Sequence, residues 1–345
     1  LAGKMASASA MVNTYSEGLS GSCSPKDLET MLQLTYLRFT APRMDQEAFT
    51  SFITRNKAAL ANQEANPMTA FSDSINVALY NRHPRALSMK ADMLDKIDYN
   101  KVMELYKNRF ADASDFTFIL VGNVDAKTAT PLIEQYLGAL PATKRNEKFR
   151  DTGMAIRKGH FENNFVKELE TPKATVLMVY SGDCKYDLKN NLQMSMLGQL
   201  LNMVYLRTVR EDAGGTYGVS CNGSLSKYPT EKGAFQVYFD TDPNRREEMV
   251  KLINEGIQEF IKKGPVSEDL SKVKEYMLKT YKQNQKENGY WMNILNTYYW
   301  ENLDMNTGYE ATVNAISGDD LKAFAKTFFG QKNEVEVSIS SPVQK

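Results

Sequence analysis

MVYLRTVREDAGGTYGVS, residues Met203–Ser220, passes from the end of a helix through a turn into a strand. Leu200, Leu201, Val204 and Leu206 recur at helical spacing, so Gln199–Val209 reads as the end of an amphipathic helix. Glu211-Asp212-Ala213-Gly214-Gly215 is a turn whose glycine pair takes backbone angles closed to other residues. A β-run begins at Thr216. A helix ending in Arg, a Gly-Gly turn and a strand beginning with Tyr can bring Arg210 and Tyr217 onto one surface, seven positions apart. The guanidinium offers a donor fork and the phenol a single donor, which together suit a carbonyl oxygen or a carboxylate. A solvated arginine in the last turn of a helix, where the dipole favours a cation, also fits these residues. The stretch alone leaves both readings open.

Downstream of it, Gly233–Asp240 reads as a strand, then Pro243–Lys262, Ser267–Gln285, Gly289–Trp300 and Asp319–Phe329 as helices, and Val335–Ser340 as a last strand. Upstream, Gly159–Leu169 and Ala174–Gly182 are strands and Tyr186–Val209 a long helix. ATVLMVYSG, from Ala174, is nearly continuous in apolar residues, as a strand covered on both faces would be. Ala142–Asp151, ATKRNEKFRD, is polar and charged, and its core at residues 142–150 is the best linker in the chain. Before the linker come a hairpin (Met5–Tyr15 with Leu19–Cys23), a helix opened by Ser24-Pro25, helices at Gln46–Asn62, Pro67–Tyr80, Asn100–Phe110 and Thr128–Leu137, and an apolar run, Phe116–Val121, expected as a buried strand.

The two sides of the linker repeat one another. At a shift of 219, Ile97, Val102, Leu105 and Phe110 fall on Ile316, Leu321, Phe324 and Phe329, and Phe116, Phe118 and Leu120 fall on Val335, Val337 and Ile339. Pro25 and Met31 fall on Pro243 and Met249 at 218, and NQEAN from Asn62 falls on NQKEN from Asn284 at 222. Four segments in one order at nearly one shift point to duplication. The expected fold is α+β: two homologous domains, residues 1–141 and 151–345, each a mainly antiparallel sheet with helices on one face. The same alignment sets Gly3 on Gly215 and Met5 on Tyr217, so the first copy opens at the turn where the second carries its Arg–Tyr pair. The counterpart of Asp151–Asp212, two strands and a long helix, is missing from the first copy. We therefore expect an N-terminally truncated first domain with an open edge, a place for self-association. The opening LAGK, without Met, fits a fragment, and no signal-peptide pattern is present.

Composition bounds the function. Forty-two acidic side chains balance 42 basic ones, which argues against a nucleic-acid or membrane-surface binder, and no apolar run is long enough to span a bilayer. The 42% apolar and 24% charged content is that of an ordinary globular protein. Cys23, Cys184 and Cys221 form no CxxC pair and no disulfide framework. His83, in NRHPR, and His160, in KGHFE, lack the second histidine at helical spacing that HExxH or HxxEH supplies to zinc. His83 reads as a turn residue and His160 as an exposed strand residue. There is no GxSxG, no Walker A and no dinucleotide-binding glycine run. Tyr290, Trp291, Tyr298, Tyr299 and Trp300 lie at helical spacing and read as core and groove wall.

IDYNKVMELYKNRFADASDFTFILVGNVD with LGALP in the first copy, and VREDAGGTYGV with GPVSEDLSKVKEYM in the second, resemble the insulinase/pitrilysin-type zinc metallopeptidases. The likeness is to the C-terminal half of their bacterial PqqL-like branch, and it covers essentially the whole chain. Such proteins are clamshells of two halves around a chamber, and the N-terminal half holds zinc on HxxEH and a downstream Glu. The resemblance implies that Arg210 anchors substrate carbonyls and that Tyr217 donates to the scissile carbonyl or its oxyanion. It implies a peptide substrate, zinc in the parent's N-terminal half, that half as partner in the same chain or another, and a periplasmic or cell-envelope setting. This chain has no HxxEH, so no metal ligands are expected in it and the segment alone is expected to be inactive. The family also contains non-catalytic processing-peptidase subunits and respiratory-complex core proteins, so a structural or binding subunit is the alternative.

Overall fold

The structure, a computed structural model, describes residues 1–342 apart from Asn146 and Tyr217. It divides into two compact units, Leu1–Ala61 with Met89–Thr152, and Asn62–Ser88 with Gly153–Lys345.

In the first unit β1 (Ala6–Val12) pairs antiparallel with β2 (Glu17–Cys23), Ala6 opposite Cys23 and Val12 opposite Glu17. Helix α1 (Leu28–Thr40) lies on this hairpin, and α2 (Gln46–Glu64) follows it. The next helix, α3 (Pro67–Leu79), belongs to the second unit, so the chain returns to the first through α4 (Tyr99–Arg109) and α5 (Ala126–Tyr136). Leu28 and Leu32 of α1 pack with Ala129 of α5. Phe39 meets Phe110 edge-on, with ring centroids 5.5 Å apart.

Phe116–Val121, expected as a buried strand, is not one. Its alternation is used: the Phe116 ring lies 5.0 Å from that of Phe39, and Leu120 joins the α1–α5 cluster. The ladder is what is missing. Among the described residues none of positions 117–121 makes a backbone hydrogen bond, and a strand exists only where a neighbour accepts from its N–H groups and donates to its C=O groups. Thr143 and Arg145, in the polar stretch read as a linker, are tied to Asp112. The buried carboxylate of Asp112 accepts from the backbone N–H and hydroxyl of both Ser114 and Thr143 and from the Arg145 N–H. Those bonds hold its pKa well below the ordinary aspartate range.

The second unit is a five-stranded sheet in the order β3-β7-β4-β6-β5: β3 (His160–Val166), β4 (Ala174–Asp183), β5 (Val219–Ser226), β6 (Lys232–Thr241) and β7 (Asn333–Ser340). Among the described residues only the β3–β7 pair of this sheet is parallel, so the mixed but mainly antiparallel α+β plan is as expected. β4 is buried along Ala174–Gly182 because both of its faces are covered. On one face Val176, Met178 and Tyr180 meet the helix layer: α6 (Leu188–Tyr205), α7 (Arg246–Lys263), α8 (Ser267–Asn284) and α11 (Gly318–Phe329). Met249, Ile253, Ile257 and Phe260 form the single buried stripe of α7. On the other face Leu177, Val179, Val335, Val337 and Ile339 are covered by Phe71, Ala78 and Leu79 of α3. The expected helix layer is therefore joined by one helix on the opposite face, drawn from sequence far upstream.

Two further elements complete this unit. α9 (Asn288–Glu301) carries the aromatic cluster, and α10 (Tyr309–Ala315) is a short helix that periodicity did not mark. The cluster is not core: no residue of α9 is buried, and Tyr298, Tyr299 and Trp300 are exposed. Periodicity measures an apolar stripe; it does not say whether anything covers it.

Candidate functional site

The site is built where α6 meets β5. α6 starts at Asp187, whose side chain caps Asn190 N–H, and runs buried beneath the sheet to Tyr205. The Tyr205 ring is fully buried, and its hydroxyl donates to Ile253 O of α7 at 2.8 Å. Burial pushes the pKa of that phenol well above its ordinary range, so it is a fixed neutral donor. It packs against Gly256, where a Cβ would stand 2.5 Å from the ring.

Past Tyr205 the winding widens into a π-helical stretch, Leu206–Asp212, in place of the helix end that periodicity placed at Val209. One residue more per turn changes which side chains share a face, and such turns recur at functional sites. Val209 is fully buried. Arg207 is held: its Nη2 lies 2.7 Å from Asp269 Oδ2 at the start of α8, and that carboxylate is only 10% exposed. Thr208 donates back to Val204 O. Arg210, three positions after Arg207, is exposed, and among the described residues its guanidinium has no hydrogen-bond or ion-pair partner.

The following turn is pinned from several directions. Gly214 has φ +57°, the left-handed region open to glycine. Gly215 is needed for another reason: a Cβ there would lie 2.0 Å from Met249 Sδ in the core. Gly215 N–H donates to Val209 O at 3.1 Å, Arg245 Nη2 donates to Ala213 O at 3.0 Å, and Thr241 Oγ1 donates to Gly215 O at 2.5 Å. Thr216 Oγ1 donates to Asp240 O and accepts from Gly218 N–H. Sequence reasoning picked out the glycines and Arg210 but passed over Arg207, Arg245 and Thr241; a cation spaced from an acid across two helices leaves no local pattern. Tyr217 lies outside the described residues.

The remaining candidates do no chemistry of this kind. His160 stands exposed on β3, its Nε2 2.8 Å from Glu162 and its Nδ1 3.5 Å from Glu334, and these carboxylates raise its pKa. His83 caps a short 3-10 turn, accepting from Arg85 N–H. All three cysteines are free, and burial pushes the Cys184 thiol up to about 11 and Cys221 beyond the usual range, away from nucleophilic use at neutral pH. Among the described residues no three His, Cys, Asp or Glu side chains converge as a metal site, and both histidines are engaged elsewhere, so the donor set does not fit zinc. Among the described residues no helix is long and apolar enough to cross a membrane. An exposed, unpartnered guanidinium beside a fixed turn is suited to gripping carbonyl oxygens.

Comparison with known proteins gives one family match, described as the peptidase M16 inactive domain, over residues 96–277. A zinc protease PQQL-like protein of Arabidopsis thaliana is 28% identical over 280 residues, 77% of this chain and 29% of its own length. A probable zinc protease PqqL of Haemophilus influenzae is 22% identical over 327 residues, 90% of this chain and 34% of its own. The crystal structure of the periplasmic protease PqqL from Escherichia coli superposes with a TM-score of 0.84 at 19% identity, over 98% of this chain and 37% of that one. The chain thus spans about a third of the length of the curated relatives it matches.

Proposed function

The chain belongs to the family of the peptidase M16 inactive domain, and from that premise we propose that it is the substrate-gripping, metal-free half of a zinc endopeptidase. Arg210 holds backbone carbonyls of a bound peptide, and Tyr217 donates a hydrogen bond to the scissile carbonyl as it gains charge. Zinc, its activated water and the general base belong to the other half of the longer protein. The relatives' description as zinc proteases supports the reaction class. The observation that carries the reading is Arg210 itself: Arg207 and Arg245 are spent on structure, while Arg210 is exposed on the same pinned segment without a partner among the described residues. The periplasmic setting of the Escherichia coli relative is proposed for this protein as well.

Steady-state kinetics in the longer, zinc-carrying protein tests this. Tyr217→Phe lowers kcat by about 10²-fold with little change in KM, the scale of losing one oxyanion donor. Arg210→Ala raises KM more than it lowers kcat, and Arg210→Lys rescues poorly, because a point charge does not replace a planar fork. None of the three changes lowers the melting temperature. Normal kcat/KM in Tyr217→Phe ends the claim, and a longer protein that cleaves nothing while still binding peptide makes it a non-catalytic subunit.

A further inference from the structure

Among the described residues β5 is an edge strand of the second unit's sheet, with β6 on one side and no strand on the other. An antiparallel ladder turns alternate residues toward the neighbour and the rest away from it. Cys221 is one of those turned away. Its N–H donates to Asn202 Oδ1 at 2.7 Å, and its C=O accepts from Asn202 Nδ2 at 3.0 Å. One half-buried carboxamide on α6 therefore makes the pair of bonds that a residue of a neighbouring strand would make. The helix lies close enough because Gly198, one turn earlier, has no side chain. A Cβ there would already touch Cys221 O at 3.5 Å and Gly223 N at 3.7 Å, and anything longer would force helix and strand apart.

The end of α6 is anchored at three residues, to three different elements. Tyr205 donates to Ile253 O of α7, and Arg207 pairs with Asp269 of α8. Both of these fix the helix end within its own layer. Asn202 fixes it to the sheet, on the strand that Tyr217 precedes by two positions in sequence. Arg210 stands eight residues further on, beyond the change of winding at Leu206. The hydrogen-bonded turns of a helix carry a shift at one end to the side chains at the other. A peptide held at Arg210 and acted on by a donor entering β5 meets both correctly only when the end of α6 and the start of β5 keep one separation. Merely shielding the β5 edge from other strands would need bulk alone; it would not need a donor and an acceptor aligned on one residue.

Granted the grip at Arg210, we propose that Asn202 is a positioning residue for peptide binding: by clasping Cys221 it holds Arg210 in register with β5. It touches no substrate and acts through Arg210. The clasp needs an amide of this length. Asn202→Asp keeps the acceptor but sets a carboxylate against the Cys221 carbonyl, and Asn202→Ala lacks both groups.

A double-variant cycle in the longer, zinc-carrying protein tests it: Asn202→Ala, Arg210→Ala and the two together, each with steady-state kinetics and a thermal melt. Asn202→Ala lowers kcat/KM about tenfold, mostly through KM, within the ~10²-fold that a misplacement of ~1 Å costs. In the Arg210→Ala background the same change costs less than about twofold, because the group it positions is gone. Asn202→Asp is taken through the same cycle, so that the test survives if the alanine variant does not fold, and it shows the same loss in KM. Equal losses with and without the Arg210 guanidinium overturn the positioning role and leave the grip standing, since a purely structural clasp acts on both backgrounds alike. An unchanged KM in the Asn202 variants, with KM raised in Arg210→Ala, overturns it in the same way. An unchanged KM in Arg210→Ala removes the grip and the positioning role with it.

Discussion

Gly215 shows how one residue couples the site to the core. Its neighbour Gly214 is chosen for backbone angle, but Gly215 is chosen for space: Met249 Sδ, Cε and Cγ all stand within 3.3 Å of where a Cβ would be. Methionine is the most adaptable of core side chains, yet Met249 is fully buried and has little room to swing. We expect Gly215→Ala to destabilise the second unit by about 1–3 kcal/mol, the usual cost of overpacking. Met249→Ala alone leaves a cavity costing about 2–5 kcal/mol. The double variant is expected to lose clearly less than the sum, because each change relieves the other. Urea denaturation of the three variants measures this, and additivity within about 0.5 kcal/mol shows that the two do not touch. A turn clamped in this way holds Arg210 still without contacting it.

Among the elements, β3 carries a histidine that links its stability to pH near neutrality. It is an edge strand, parallel to β7, with alternating exposure, and it carries His160 between Glu162 and Glu334. The hydrogen bond to Glu162 is the main reason the His160 pKa is raised above 6.5, with the Glu334 charge assisting. A histidine with a raised folded pKa stabilises the native state fully below about 6.5 and loses that contribution as pH climbs through the folded value. The imidazole is more than half exposed, so solvent and salt screen the effect. Melting curves at low salt are expected to show a small decline from pH 6 to pH 8 that His160→Gln flattens and 0.5 M salt removes. A wild-type decline unchanged in the variant assigns it to other groups. At the same face Glu336 is buried, which raises its pKa, and Arg246 reaches it from α7 to offset that cost.

At the scale of the whole molecule, the proposed division of labour puts a grip in this chain and the reaction centre elsewhere in the longer protein. Its histidines serve a strand edge and a turn, its thiols are buried or disfavoured as thiolates, and the described residues hold no metal cluster. The 345-residue chain, dialysed against chelator and then buffer, is expected to retain well under one zinc per molecule and to leave a fluorogenic peptide uncut. Metal analysis and the peptide assay decide this together; one tightly held zinc per chain reverses the division of labour proposed between the halves. A zinc taken up only by the longer protein, with cleavage restored, agrees with it.

Local pattern was enough wherever an element's partners lie within its own unit or its own sequence. The unbroken apolar run of Ala174–Gly182 announced a strand covered on both faces, the periodicity of Pro243–Lys262 announced a helix there, and Gly214-Gly215 announced the turn beside Arg210. The family motifs lay in the same local stretches, so kinship too was legible. Tertiary structure decided what depends on a partner. Phe116–Val121 has the pattern of a strand and none of its ladder, because a ladder is made of a neighbour's backbone groups. The aromatic stripe of α9 is exposed while the plainer stripe of α3 covers the sheet of the second unit. Nothing in either helix states which surface lies opposite. Arg207 and Arg210 sit on one π-wound segment with opposite fates, and only the position of Asp269, 62 residues on, separates the structural cation from the available one.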